Sequence, residues 1–190
     1  NGSPAIGAPV YLATPSHVLS IGGGYANRPA DSLLVTTDKD GAFRFPPQED
    51  AGIVVVLDDR GFAQAPEEFL ADGKPLKLER WGSVQGIAKA NGRPVPFGLV
   101  SLTLADMGGP EPPLHYTYND ETDADGRFSI ERVPPGEAAV ATGIPTSGNT
   151  IGFGPGQRIR LNPGELLDLT VGGEGRRMTG RLKLPDGYAI

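Results

Sequence analysis

The stretch Thr122-Asp123-Ala124-Asp125-Gly126-Arg127-Phe128 sets two carboxylates and a glycine between a threonine and a phenylalanine. The same word stands earlier as Thr37-Asp38-Lys39-Asp40-Gly41-Ala42-Phe43, so its meaning decides two regions of the chain at once. It reads as a calcium loop, a catalytic carboxylate pair or a tight turn between strands. A helix-flanked calcium loop needs acidic side chains at its first, third and fifth positions, glycine at the sixth and a bidentate glutamate at the twelfth. With Gly126 or Gly41 at the sixth position, the twelfth is Arg132 or Pro47. The closing ligand is missing both times, and a strand-like segment follows where a helix should enter. A turn accounts for every residue: the aspartate accepts hydrogen bonds from the turn backbone, and glycine takes the positive φ that a tight hairpin needs. A weak calcium site is the alternative, drawn from Asp38 and Asp40 or from Asp120, Asp123 and Asp125 beside Asn119 and Glu121. No other cofactor is expected.

Working outward, the word belongs to a longer repeat. Asp38 and Asp123 lie 85 positions apart, and each word runs on to a proline pair, Pro46-Pro47 or Pro134-Pro135. An apolar segment follows each pair, Ile53 to Leu57 or Glu137 to Thr142. Upstream, Gly7 to Thr14 matches Phe97 to Leu104, and Asn1-Gly2 matches the Asn91-Gly92 turn that follows SVQGIAKA. The first copy is therefore expected to lack its opening strand within this sequence. A third start, Met178 to Gly187, echoes SVQGIAKANG. The expected division is 1–80, 81–176 and 177–190, with the seam at Leu76 to Gly82 and the last stretch available as a pairing strand.

Gly and Pro supply 28 and 19 of the 190 residues, near the level that accompanies disorder. Here they punctuate short β-branched runs such as LLVTT, FRF, IVVVL, LVSLTL and LLDLTV, the pattern of an all-β chain with turns every 8–12 residues or so. Alternation nominates Val10, Leu12, Leu34, Phe43, Phe45, Val54 and Val56 for one core, and Ile87, Val100, Leu102, Phe128, Ile130 and Val140 for the other. PEEFLADG, Pro66 to Gly73, is the one helix candidate and spans a turn or two. A net charge of -6 with scattered Lys and Arg argues against nucleic acid. No apolar run approaches the roughly 18 residues that span a membrane, so no membrane insertion is expected of this sequence. The absence of Cys removes disulfides, thiolate metal sites and cysteine nucleophiles.

The residues now carry a resemblance. TDADGRFSIERVPPGEAAV, residues 122–140, resembles the signature of carboxypeptidase regulatory-like domains, the transthyretin-like or prealbumin-like seven-stranded sandwich. Gly86, Gly92-Arg93-Pro94-Val95, Val100 and Pro135-Gly136 stand at matching places in the second copy. The first copy departs at Gln48, where the Pro-Pro-Gly turn should close. The ending LNPGELLDLTVGGEGRRMTGRL is similar to linkers between tandem copies in large exported bacterial proteins. The resemblance implies two tandem seven-stranded Greek-key β-sandwiches plus the first strand of a third unit. It also implies an accessory, non-catalytic role in a periplasmic, cell-surface or secreted protein. The partners it implies are other domains of the same chain and protein or polysaccharide at the cell surface.

Catalytic signals are weak. Asp123 and Asp125 sit two apart on a turn and diverge, unlike carboxylates facing each other across a cleft. His17 and His115 lie in different copies and make no HExxH pair, and IGGGYANR lacks the order of a phosphate cradle. Trp81 falls at the seam, where it packs between copies. Tyr116 and Tyr118 alternate onto one face and, with Asn119, form the best candidate ligand platform. The expected function is a non-catalytic spacer or adhesion element. The alternative is a calcium-assisted glycan- or peptide-binding module using the Tyr116/Tyr118 face and the acidic loop 119–125.

Overall fold

The computed structural model describes residues 2–27, 33–71, 73–104, 114–145, 151–154, 156–174 and 179–183. The first copy supplies β1 (Pro9–Ala13), β2 (Leu19–Gly22), β3 (Tyr25–Asn27), β4 (Leu33–Thr36), β5 (Ile53–Asp58), β6 (Gly61–Pro66) and the short helix α1 (Glu67–Ala71). The second supplies β7 (Gly82–Ala90), β8 (Arg93–Pro94), β9 (Leu99–Leu104), β10 (Leu114–Tyr116), β11 (Tyr118–Glu121) and β12 (Arg127–Val133). It continues with β13 (Gly136–Pro145), β14 (Ile151–Phe153), β15 (Gln157–Leu161) and β16 (Leu166–Gly173). The protein is all-β, as its turn-punctuated apolar runs require.

One sheet is built twice. In the first copy the order is β4-β1-β5-β6; in the second it is β11-β9-β13, with β15 on the far side of β13. The registers coincide as well. Leu12 stands opposite Leu33 and Val54, and Leu102 stands opposite Tyr118 and Val140. Two copies that share topology and register have the same strands burying the same faces.

The second layer is where the copies part. In the second copy β7 runs between β12 and β16, antiparallel to the first and parallel to the second. Val84, Ala88, Phe128, Ile130, Val133 and Val171 from this sheet pack on Val100, Leu102, Tyr118, Val140 and Leu161 from the other. In the first copy the segments matching β12 and β16 are 42–48 and 73–80, and neither is a strand. FRF was expected to be one. Among the described residues no strand takes the place of β7 beside it, so its backbone has no ladder to join. Its side chains still do their apolar work: Phe43, Phe45, Leu76 and Leu78 pack, half-buried, on Val10, Leu12, Val54, Val56 and Ala63.

Two core expectations are out of phase. Leu34 is 43% exposed because β4 turns Leu33 and Val35 inward. Ile87 is only half-buried, since Val84, Gly86 and Ala88 form the inner face of β7. Of the expected third start, only 179–183 fall among the described residues; they are exposed and belong to no strand.

Candidate functional site

The repeated word folds as a turn in both copies, with the same contacts. Asp38 Oδ1 accepts the N–H groups of Asp40 and Ala42 at 2.9 Å each, and Asp123 Oδ1 accepts those of Asp125 and Arg127 at 2.9 and 2.8 Å. Gly41 and Gly126 close the turns with φ of 75° and 77°, donating to the carbonyls of Asp38 and Asp123 at 3.0 Å. A side chain at Gly126 would also press on Pro94 and Val95, and at Gly41 on Pro4 and Ala5.

The threonine that opens the word is a buried latch, a role that sequence reasoning missed. Thr122 Oγ1 donates to the Val95 carbonyl at 2.6 Å and accepts the Gly98 N–H at 2.8 Å. Thr37 Oγ1 donates to the Ala5 carbonyl and accepts the Ala8 N–H at 2.8 Å. Each hydroxyl thereby ties the turn to the loop that enters the central strand, β1 or β9. The signal was available in the matching of Thr37 with Thr122 and of Ala5 to Ala8 with Val95 to Gly98.

Tyr116 and Tyr118 do not form an exposed platform. Tyr118 is 2% exposed and occupies the core position that Leu33 fills in the first copy. Its hydroxyl donates to the Arg132 carbonyl at 3.1 Å. Tyr116 donates to Gln64 Oε1 at 2.6 Å, across the two copies. Burial pushes both phenols well above their ordinary pKa, and for Tyr116 the neighbouring Tyr118 adds to the effect. Alternation expected the two rings on one exposed face, but they stand in strands of different sheets and neither is exposed.

Tyr118 is covered by its own sandwich, and Tyr116 by a joint between the copies. β10 of the second copy pairs in parallel with β2 of the first, and β3 completes a three-stranded sheet in the order β10-β2-β3. These strands come from matching connections, the one after β1 and the one after β9. Beneath the sheet Leu19, Ile21 and Leu114 share a cluster with Tyr11, Val55, Leu57 and Phe62. The Phe62 ring lies 5.4 Å from Trp81 and 6.4 Å from Tyr116 between centroids. The Trp81 indole N–H donates to the Asp58 carbonyl at 2.7 Å, which fixes the lone tryptophan against the first copy. The Asp58 carboxyl, held below its ordinary range by hydrogen bonds from Arg60, fixes the β5–β6 turn at this point.

A groove of about 680 Å³ opens beside the joint, between the β2–β3 hairpin and the edge formed by β11 and β12. Tyr25, Asn27, Asn119, Ser129, Glu131 and Arg132 line it. The β12 register shifts between Ile130 and Val133, and Arg132 takes a left-handed φ of 52° there. Its guanidinium sits 4.5 Å from the Tyr25 ring centroid and 2.8 Å from Asp59 of the first copy. Because Asp59 is largely exposed, the ion pair adds at most about 1 kcal/mol, and the ring contact about as much. Gly24 leaves the room that this arginine needs, since a side chain there would meet Arg132 Cβ at 2.6 Å. Tyr25 remains 57% exposed. Of the expected ligand residues, Asn119 and the nearly buried Tyr118 line this groove, and the hairpin from Gly22 to Asn27 forms its other wall.

The carboxylates expected for calcium stay apart in function. Asp40 pairs with Lys39 at 2.7 Å, and Asp120 Oδ2 accepts the Ser129 N–H at 2.7 Å. Among the described residues no three His, Asp or Glu side chains gather closely enough to hold a metal ion. His17 lies against Thr14, and His115 is exposed in β10, so the two histidines serve different surfaces. No helix among the described residues is long and apolar enough to cross a membrane.

No family model and no curated protein matches this chain. Among solved structures, the minor pilin GBS52 of Streptococcus agalactiae is similar at 10% identity with a TM-score of 0.45, over 96% of this chain and 89% of that one. The shaft pilin SpaA of Lactobacillus rhamnosus GG is similar at 9% identity and a TM-score of 0.33, over 93% of this chain and 88% of that one. The major pilin BcpA of Bacillus cereus is similar at 9% and 0.37, over 89% of this chain and 60% of that one. At such identities and scores, none of these likenesses assigns a role to this chain.

Proposed function

We propose that this chain is a non-catalytic, rigid two-unit module of the prealbumin-like kind, a spacer in an exported or cell-surface protein. Its units are 1–80 and 81–176, and it holds two β-blocks at a fixed angle. The observation that carries this reading is the joint. A linker that only tethered the units would need no shared sheet, whereas here β10 adds to β2 and the buried Phe62 packs beneath it with the half-buried Trp81 and Tyr116. Apolar area removed from water at about 25 cal/mol per Å² makes such a joint resist bending in a way that a flexible peptide cannot.

The chain has no cysteine, so spin labels can be placed at will. Labels at Glu68 and Arg127, both exposed and in different units, should give one narrow distance distribution. Trp81→Ala should broaden it and cost about 3 kcal/mol of stability in a denaturant titration. A broad distribution in the unsubstituted chain would sink the rigid-spacer reading.

A second reading rests on the groove. Tyr25 offers an exposed ring, and Asn27, Asn119, Glu131 and Arg132 offer polar groups around it, a combination suited to a glycan or an extended peptide. Oligosaccharide titrations followed by amide chemical shifts test it. Shifts confined to β3, Asn119 and Arg132 support it, and an unperturbed spectrum removes it.

A further inference from the structure

The two copies differ at one turn position in a way that the fold does not require. Ala5 to Ala8 matches Val95 to Gly98, so Gly7 in the first copy stands where Phe97 stands in the second. The backbone is the same at both. The Gly7 N–H donates to the Thr37 carbonyl and the Phe97 N–H to the Thr122 carbonyl, each at 3.1 Å. Both residues take a left-handed φ, 68° for Gly7 and 53° for Phe97. Glycine adopts it freely, whereas a bulky side chain there is strained. Burial does not offset the strain, because Phe97 is 69% exposed. The ring therefore faces solvent at a place where the other copy has no side chain at all.

Phe97 opens onto a hollow of about 490 Å³ along the edge of β11 and β12, where Asp120, Glu121, Arg127 and Ser129 also stand. Ser129 lines the groove beside the joint as well, so the two depressions meet at this residue and follow β12 as one trough. From Arg127 to Arg132 the strand covers about 16 Å at roughly 3.3 Å per residue. An exposed aromatic ring stands toward each end, Tyr25 and Phe97, with polar side chains between them. Hairpin glycines make the Tyr25 end: a Cβ at Gly22 would come within 3.3 Å of the Asn27 amide nitrogen, and one at Gly24 would strike Arg132.

The walls select the ligand. Asp120 Oδ2 holds the Ser129 N–H and Asp123 Oδ1 holds the Arg127 N–H, so an extended peptide adding to this edge of β12 would find both already taken. Carboxylates outnumber cations. Asp120, Glu121 and Asp123 stand with Arg127, and Glu131 stands with Arg132, whose guanidinium is paired with Asp59. That balance disfavours phosphate, sulfate and uronate groups. An uncharged, hydroxyl-rich chain meets both conditions, with apolar ring faces to lie on the aromatics and hydroxyls for the amides and carboxylates between. We propose that the trough binds a linear, uncharged polysaccharide, with Tyr25 and Phe97 stacking on sugar rings at its two ends. The proposal rests on the glycan reading of the groove and extends it to Phe97, which lies outside the groove.

Chito- and cello-oligosaccharides, each as the disaccharide and the hexasaccharide, are titrated into the isotope-labelled chain, with an oligogalacturonate of hexasaccharide length as the anionic control. The disaccharides should shift amides of β3, Asn119 and Arg132 alone, and the hexasaccharide of at least one series should shift these together with Ser129 and Phe97. Phe97→Gly places there the residue that the first copy uses, so it should keep the circular dichroism of the parent. It should weaken hexasaccharide binding by about tenfold and leave the disaccharide unchanged. Tyr25→Ala should weaken both. Hexasaccharide shifts that stop at Asn119 and Arg132, or an affinity indifferent to Phe97→Gly, would overturn the trough while leaving the groove as a shorter glycan site. Tighter binding of the oligogalacturonate would overturn the uncharged ligand class. A Ser-Thr repeat peptide should leave the spectrum unchanged; shifts along β12 from the peptide with none from the sugars would overturn the proposal in favour of a peptide. An unperturbed spectrum with every sugar would overturn the proposal together with the glycan reading of the groove.

Discussion

The sheets β4-β1-β5-β6 and β11-β9-β13-β15 are the same object made from different residues, while the layers that face them are not. Leu12 and Leu102 have matching neighbours on both sides, and the Thr37 and Thr122 latches repeat atom for atom. Opposite those sheets, β7 organises β12 and β16 in the second copy, and nothing among the described residues does so in the first. The lesson concerns strands in general. FRFPP and RFSIERVPP share their pattern, yet only the one with a ladder partner is a strand, because isolated extended backbone gives its N–H and C=O groups no partners.

The largest effect expected from this contrast is at Gly86. Gly86→Val would push β16 off β7 and should cost about 3 kcal/mol or more, seen as loss of the second unit's cooperative transition in urea. Gly61→Val, against the Glu79 carbonyl of the first copy, makes the companion measurement. If both substitutions cost the same, the irregular layer of the first copy is as stiff as the complete one, and the contrast breaks.

Next come the latches. Thr122→Val leaves the Val95 carbonyl and the Gly98 N–H without their partner and should cost about 1–3 kcal/mol. Thr37→Val should cost less, because Thr37 lies nearer the surface. A denaturant series on both variants sharpens the comparison, and the reverse order would contradict it.

Alkali probes the joint. The folded-state pKa values of Tyr11, Tyr116 and Tyr118 are raised by burial, so the folded form keeps its phenol protons above the ordinary tyrosine value near 10 while the unfolded form releases them. The stability these groups contribute is complete below about pH 10 and is lost as pH rises beyond it. Tyrosinate absorbance should therefore appear in two stages, the second coinciding with unfolding. A single smooth titration near pH 10 would show that the joint tyrosines are open to solvent.

The smallest effect expected is from calcium. Asp38 and Asp123 each spend one oxygen on two turn N–H groups, so millimolar calcium should leave the melting temperature where EDTA leaves it. Asp38→Ala and Asp123→Ala should each lose about 1 kcal/mol through the turn alone. A calcium-dependent rise in melting temperature that Asp123→Ala removes would restore the metal loop, because a ligand that binds only the folded form stabilises it.

The all-β class, the duplication, the short helix and the turn at Asp-x-Asp-Gly were legible in the sequence because each depends on local pattern. Alternation marks a half-buried strand, and an aspartate followed by glycine marks a turn, wherever in space the segment lies. The seam position of Trp81 was legible for the same reason: it falls between two copies of one pattern. Tertiary structure alone decided that Tyr118 is buried in its sandwich and that Tyr116 is half-covered, since β2, which pairs with the strand of Tyr116, comes from residues about a hundred positions away. It alone turned Leu34 and Ile87 outward, because alternation gives a strand two faces without naming the inner one. It also decided that FRF is not a strand. A sequence specifies which backbone can be extended, but whether a partner lies alongside is a property of the assembled sheet.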